Sequence, residues 1–311
     1  MTIAFLGAGH MAHGMIGRLL GAGFPVTVYN RSVEKVRPLE ALGATTAATP
    51  RDAAHGADVV FASLSDDAAS RAVWTGPEGV LSAHVSDRMI AIECSTLSHD
   101  WVLELAGTVR RRGLRYIDCP VAGRPYAAAA GQLVVFAGAE AADLEEVRPL
   151  LAPLSKEIFH FGPVGAGTAF KLIYNLMGAT QIAALAEGLV AAEAAGIDLL
   201  SAARAFSTGA TGSPHVVRHA AFMAEGRHED PPAFTARGRL KDSTYGVQLA
   251  ETLGCQAVLG RATVALFEQM IEAGMDGAAD SRLIEAVRSR RVDVPPTSPP
   301  PGRRPGWSSG R

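Results

Sequence analysis

The run TIAFLGAGHMAHGMIG at residues 2–17 constrains this chain more than any other stretch. An apolar segment suited to a strand enters Gly7-Ala8-Gly9, and a pattern with helical spacing starts at once. Gly7 permits a tight turn, and Gly9 lets the backbone come close to whatever lies against it. Ala12 stands at the third position of the G-x-G-x-x-G/A pattern, where helix and strand must pack closely. Further apolar, strand-like runs follow at FPVTVYN (24–30), ADVVFAS (57–63), RMIAIE (88–93), LRYIDCP (114–120) and QLVVFAG (132–138). Segments with helical spacing lie between them, such as HMAHGMIGRLLGAG and SVEKVRPLEALG. Strand–helix–strand repetition predicts a parallel sheet covered on both faces.

The pattern changes after GPVGAGTA (162–169). From there to about Ser289 the spacing is helical, with turn signals at GID, TGATGSP and EDPPAF. The helix expected from about Ala166 to Ala195 is apolar on most faces, which suits a domain centre or a subunit interface. The expected fold is α/β: an N-terminal Rossmann-type doubly wound parallel sheet (1–163), then an all-α domain (164–290) for substrate and dimerisation. The stretch VDVPPTSPPPGRRPGWSSGR is too rich in Pro, Gly and Ser to build a core, so residues 291–311 are expected to be disordered.

A glycine turn between the first strand and a helix suits a dinucleotide. The backbone of Gly7, Ala8 and Gly9 approaches the pyrophosphate, and the helix start at His10 and Met11 offers free N–H groups and a positive dipole end. The end of the second strand bears on cofactor choice. NAD-binding versions place an acid there for the ribose hydroxyls; this chain has Asn30, then Arg31 and Ser32. No carboxylate repels a 2′-phosphate, and Arg31 can grip one with a forked contact, so NADP is expected over NAD.

The bulk numbers exclude other classes. A net charge of −2 and a pI near 6.5 leave no basic excess for a nucleic-acid backbone. No apolar run reaches the length of a membrane span, and the chain starts without a leader pattern. The three cysteines are far apart and odd in number, which suits a reducing, cytoplasmic setting. The histidines suggest solvated or capping roles, and no metal is expected.

Of the 29 basic side chains only four are lysines: Lys35, Lys156, Lys171 and Lys241. Lysine can release a proton near neutral pH and arginine cannot. Lys171 lies in FKLIYNLM, near the start of the apolar helix, and Asn175 follows one turn later on the same face. Reducing a carbonyl needs a hydride and a proton. A lysine partly buried in an apolar cleft has a lowered pKa and can supply that proton. Asn175 can hold the substrate oxygen or orient the ammonium without adding charge.

Five motifs, in order, resemble the β-hydroxyacid dehydrogenases, a family that includes 3-hydroxyisobutyrate dehydrogenase and the glyoxylate/succinic semialdehyde reductases, with imine reductases as close relatives. They are GAGHMAHGM (7–15), ECST (93–96), DCPVAGRPYAAAAGQL (118–133), GAGTAFKLIYN (165–175) and RLKDSTYG (239–246). The resemblance implies that Lys171 is the acid/base and Asn175 its companion. It places Ser63, Leu64 and Ser65 on the adenosine side, Thr96 beside the nicotinamide, and Lys241 across from the helical domain on the cofactor. It also implies a dimer or tetramer. The substrate motif departs from the family's usual form: Ala122 replaces a serine that binds the substrate carboxylate, Gly123 is kept, and Arg124 replaces a glycine. The leading expectation is an NADP-dependent oxidoreductase acting on a small hydroxyacid or aldehyde-acid. The alternatives are an imine reductase, against which Lys171 argues because those relatives usually carry aspartate or tyrosine there, and a non-catalytic NADP-binding protein.

Overall fold

The computed structural model describes residues 1–290; the tail expected to be disordered, 291–311, lies outside the described residues. The strands are β1 (Ile3–Leu6), β2 (Val26–Tyr29), β3 (Thr45–Thr46), β4 (Val59–Ala62), β5 (Ile90–Glu93), β6 (Arg115–Asp118), β7 (Val121–Ala122), β8 (Leu133–Gly138) and β9 (Ser155–Gly162). They form one sheet in the order β3-β2-β1-β4-β5-β6-β8-β7, with β9 on β8. The first six pair in parallel, and the order reverses between β1 and β4. Loops leaving the carboxyl ends of those two strands border a crevice, the usual ligand position in open sheets of this kind.

The parallel core of the sheet is as the sequence expectation has it, and one edge adds antiparallel pairings. β8 runs antiparallel to β6 and β7, and β9 returns parallel to β8. β9 was missed because SKEIFHFG is mostly exposed and carries no buried apolar run. The segment SVEKVRPLEALG is not one helix. It breaks into a 3₁₀ turn at Val33–Lys35 and a single turn at Arg37–Glu40, where Pro38 lacks the N–H that continuous helix requires.

Side-chain alternation builds a core on each face of the sheet. Ile3 and Phe5 join Ala12, Met15, Ile16 and Leu19 of the helix His10–Gly21 on one face. Ala4 and Leu6 join Trp74, Trp101 and Leu105 on the other. A third core surrounds the long helix, Ala166–Ala194, through Ile182, Leu185, Ala186 and Leu189.

The junction between sheet and long helix is set by Asp118, at the end of β6. Its carboxylate accepts the Gly165 N–H at 2.6 Å and the Thr168 N–H at 2.7 Å, filling the donors that a helix start leaves open. Burial pushes this carboxyl up, and the two amides oppose that shift. Gly138 and Gly167 allow the close approach: a Cβ on Gly138 would meet Asp118 Oδ1, and one on Gly167 would meet the Phe136 carbonyl.

Candidate active site

Gly7 has φ +103, and a Cβ there would strike the Ser63 carbonyl, so the first glycine turn packs directly on the loop after β4. A Cβ on Gly9 would meet nothing, which leaves open space over the start of the helix His10–Gly21. No side chain among the described residues caps that helix, and its N-terminal N–H groups can face an anion. These features fit a dinucleotide pyrophosphate.

Ala8 and Asn30 serve the loop itself. The Ala8 N–H donates to Asn30 Oδ1 at 2.9 Å, and Asn30 Nδ2 donates to the Ser32 carbonyl at 2.9 Å. Arg31 is exposed beside them, with no ion pair or side-chain hydrogen bond among the described residues.

The loops after β4 and β5 are locked together by Glu93, a residue that sequence reasoning passed over although it lies inside ECST. It is fully buried and accepts from the Ser95 N–H and hydroxyl, the Ser70 hydroxyl and the Trp74 indole. Burial raises its pKa, and these donors oppose the rise. Ser95 Oγ in turn accepts the Leu64 N–H at 2.7 Å, fixing the Ser63–Ser65 loop relative to Thr96.

Lys171 and Asn175 are both buried, and both lie on one face of the long helix. Asn175 Nδ2 donates to Asp242 Oδ2 at 2.6 Å, leaving Asn175 Oδ1 as an acceptor. Lys241 Nζ donates to the Thr96 carbonyl at 2.5 Å and lies 3.0 Å from Asp242 Oδ1. That ion-pair contact is not aligned as a hydrogen bond, so Oδ1 remains an unused buried acceptor. Lys241 thus joins the helical half to the β5 loop. Burial pulls the Lys171 pKa down to about 8; Asp242 opposes the shift, while Arg239 and Lys241 add to it. Asp242, next to Lys241 in the fifth motif, is the carboxylate that organises Asn175 and offsets the Lys171 charge.

Arg124 turns toward the helical half and pairs with Glu229. The pair borders a cavity of about 310 Å³ lined also by His10, Tyr126 and Pro231. Ala122 is buried in β7, and Gly123 takes φ +145, where a Cβ would meet Leu133. The site thus brings Thr96, Lys171, Asn175 and Lys241 together around Asp242, while Arg31 lies apart from them beyond β2.

His215 and His219 sit four apart on the helix Pro214–Glu225. His219 bonds Asp280, and no group of three or more His, Cys, Asp or Glu among the described residues could hold a metal ion.

The fold and site define a nicotinamide-dinucleotide-dependent oxidoreductase. The profile of the NAD binding domain of 6-phosphogluconate dehydrogenase matches residues 2–162, and that of the NAD-binding region of NADP-dependent 3-hydroxyisobutyrate dehydrogenase matches residues 165–287. The chain belongs to the β-hydroxyacid dehydrogenase family. It is 30% identical over 291 residues to glyoxylate/succinic semialdehyde reductase 1 of Arabidopsis thaliana, covering 94% of this chain and all of that one. It is 36% identical over 196 residues to the NAD-dependent L-serine dehydrogenase of Pseudomonas aeruginosa, a match spanning 63% of this chain and 65% of that enzyme. The solved 3-hydroxyisobutyrate dehydrogenase of Mycobacterium tuberculosis with L-serine superposes with a TM-score of 0.82 at 26% identity, over 92% of this chain and 99% of that one.

Proposed function

We propose that the protein interconverts a small aldehyde-acid and its hydroxyacid, with NADP as the preferred cofactor and Lys171 as acid/base. The observation that carries this is the buried Lys171, its pKa lowered to about 8, on one helix face with Asn175. The cofactor supplies or accepts the hydride. Lys171 gives a proton to the carbonyl oxygen in reduction and takes it back in oxidation. Asp242 fixes the Asn175 amide through Nδ2, which leaves Asn175 Oδ1 free to accept from the ammonium or from a substrate hydroxyl. Lys241, held on the Thr96 carbonyl, closes the helical half over the cofactor side.

The test is NADPH oxidation with glyoxylate, succinic semialdehyde, methylmalonate semialdehyde and a cyclic imine, using wild type and Lys171→Ala. Turnover of an aldehyde-acid that the variant loses supports the reading. Turnover of the imine alone, or of nothing, overturns it in favour of an imine reductase or a non-catalytic NADP-binding protein.

Cofactor preference rests on Arg31, unpaired among the described residues, and on the absence of an acid at position 30. Arg31→Ala is expected to weaken NADPH binding about 10- to 100-fold, the range for a lost charge-assisted contact, and to change NADH binding little. Equal loss for both cofactors, read by fluorescence titration, would exclude a 2′-phosphate contact.

The protein is further proposed to act as a homodimer or homotetramer in the cytoplasm. No helix among the described residues is long and apolar enough to cross a membrane, and all three cysteines are free. Among the described residues β9 is paired only with β8, and it exposes Phe159 and Phe161 near the exposed Ile173, Tyr174 and Met177 of the long helix. Such an apolar patch on a sheet edge suits an isologous contact with a second copy. Sedimentation at micromolar concentration should give a dimer or larger species that Phe159→Arg shifts toward monomer; monomeric wild type would refute this.

A further inference from the structure

Two helical turns beyond Lys171, the same face of the long helix reaches Gly178. A Cβ there would lie 3.4 Å from His215 Nε2 and 3.7 Å from Arg239 Nη1. Among the described residues both atoms are polar ends without a hydrogen-bond partner. His215 Nε2 is buried and makes no hydrogen bond. Arg239 is itself buried and gives Nε and Nη2 to Asp280 Oδ2, at 3.1 and 2.6 Å. Its guanidinium stacks 4.1 Å over the Phe234 ring. Asp280 Oδ1 is held by His219 Nε2 at 3.1 Å, and His219 Nδ1 meets the His215 carbonyl at 2.8 Å. The arginine is therefore fixed on the side away from Gly178, and Nη1 keeps its donors among the described residues.

We infer that Arg239 Nη1 and His215 Nε2, facing each other's neighbourhood across Gly178, form a subsite for a substrate carboxylate remote from the reacting carbon. The inference rests on the reading above, in which Lys171 marks the reacting carbon. Burial, together with His219 and Arg239, pulls the His215 pKa down to about 3, so its ring is neutral and can donate through Nε2. A buried guanidinium edge with unused donors is a strong carboxylate partner. Asp280 balances the arginine from its opposite edge without occupying the free one.

Spacing sets the substrate. Lys171 and Gly178 are seven residues apart, about 10 Å along the helix at ~1.5 Å per residue. A carboxylate bonded directly to the reacting carbon stays near Lys171, whereas one separated by methylene groups extends toward Gly178. The β7 turn offers less competition, since Ala122 has no hydroxyl and Arg124 is engaged with Glu229. The preferred substrates are thus aldehyde-acids, or the matching hydroxyacids, with the carboxylate two or three carbons beyond the reacting carbon.

The experiment measures kcat and KM for succinic semialdehyde, glyoxylate and butanal with NADPH, in wild type, Gly178→Ala and Arg239→Lys. Alanine is favoured in a helix and sets a methyl group in front of both polar atoms. The expected result is a wild-type kcat/KM for succinic semialdehyde at least tenfold above those for glyoxylate and butanal. The acid-to-butanal ratio should collapse about tenfold in Gly178→Ala, mainly through KM, and also fall in Arg239→Lys. A ratio that is the same in all three proteins, or a wild-type preference for glyoxylate, overturns the subsite. If the wild type reduces none of these, the proposed function fails, and calorimetry with succinate in the presence of NADPH decides the subsite separately. Succinate binding that Gly178→Ala weakens at least fivefold supports it; no binding to wild type, or equal binding to the variant, overturns it.

Discussion

Lys171→Met is expected to lower kcat about 10³-fold and, at the same time, to make the protein more stable. The first effect is the loss of a general acid/base, worth roughly 10²- to 10⁴-fold. The second follows from burial. The folded-state pKa, about 8, lies below the ordinary lysine value of 10.5. A depressed lysine pKa means that folding is penalised while the group must carry its proton. The penalty is full below about pH 8 and fades as pH rises toward 10.5. Methionine fills a similar volume without the charge, so stability at pH 7 should rise by roughly 1–3 kcal/mol, a gain that shrinks above pH 8. In the wild type, kcat/KM for reduction should fall as pH rises through about 8, and that for oxidation should rise there. Denaturant unfolding at pH 7 and 9.5, with pH–rate profiles, checks both parts. A kcat loss under tenfold, or a less stable variant, would refute the role given to this side chain.

Asp118→Ala should be the most damaging change outside the catalytic face. The carboxylate holds the N–H groups of Gly165 and Thr168, and its removal leaves two buried donors without partners. Each such donor costs about 1–3 kcal/mol, so a loss near 3 kcal/mol is expected. The helix start that Asp118 fixes, at Ala166, lies less than one and a half turns before Lys171. A shift there of the order of 1 Å displaces the ammonium, and a fall in kcat of about 10²-fold should accompany the loss of stability. Asp118→Asn retains one acceptor oxygen and should recover part of both. If Asp118→Ala lowers stability with kcat untouched, the helix start does not position Lys171.

Much of this architecture was legible because it repeats at short range. Alternating apolar runs and helical spacing disclose β1, β2, β4, β5, β6 and β8, and the glycine turn discloses the uncovered helix start that follows β1. β9 was illegible for a physical reason: SKEIFHFG is mostly exposed and draws its strand character from pairing with β8. The antiparallel placement of β8 was equally hidden, since a local apolar run carries no sign of its neighbour's direction. Lys171 and Asn175 stood out because they are polar on an apolar helix. Arg239 and His215 did not, because each resembles a surface residue until the fold brings Asp280, Phe234 and Gly178 around them.

The sequence by itself determined the sheet-then-helix order, the dinucleotide loop and the lysine with its amide one turn on. All of these depend on spacings of a few residues, where the backbone leaves little choice. Only the tertiary structure decided that Asp242 holds Asn175, that Glu93 ties two loops together, and that Arg124 is engaged with Glu229. Those contacts join residues 19 to 105 positions apart in the chain. Their existence depends on how the sheet and the helices close on each other, which no local pattern encodes.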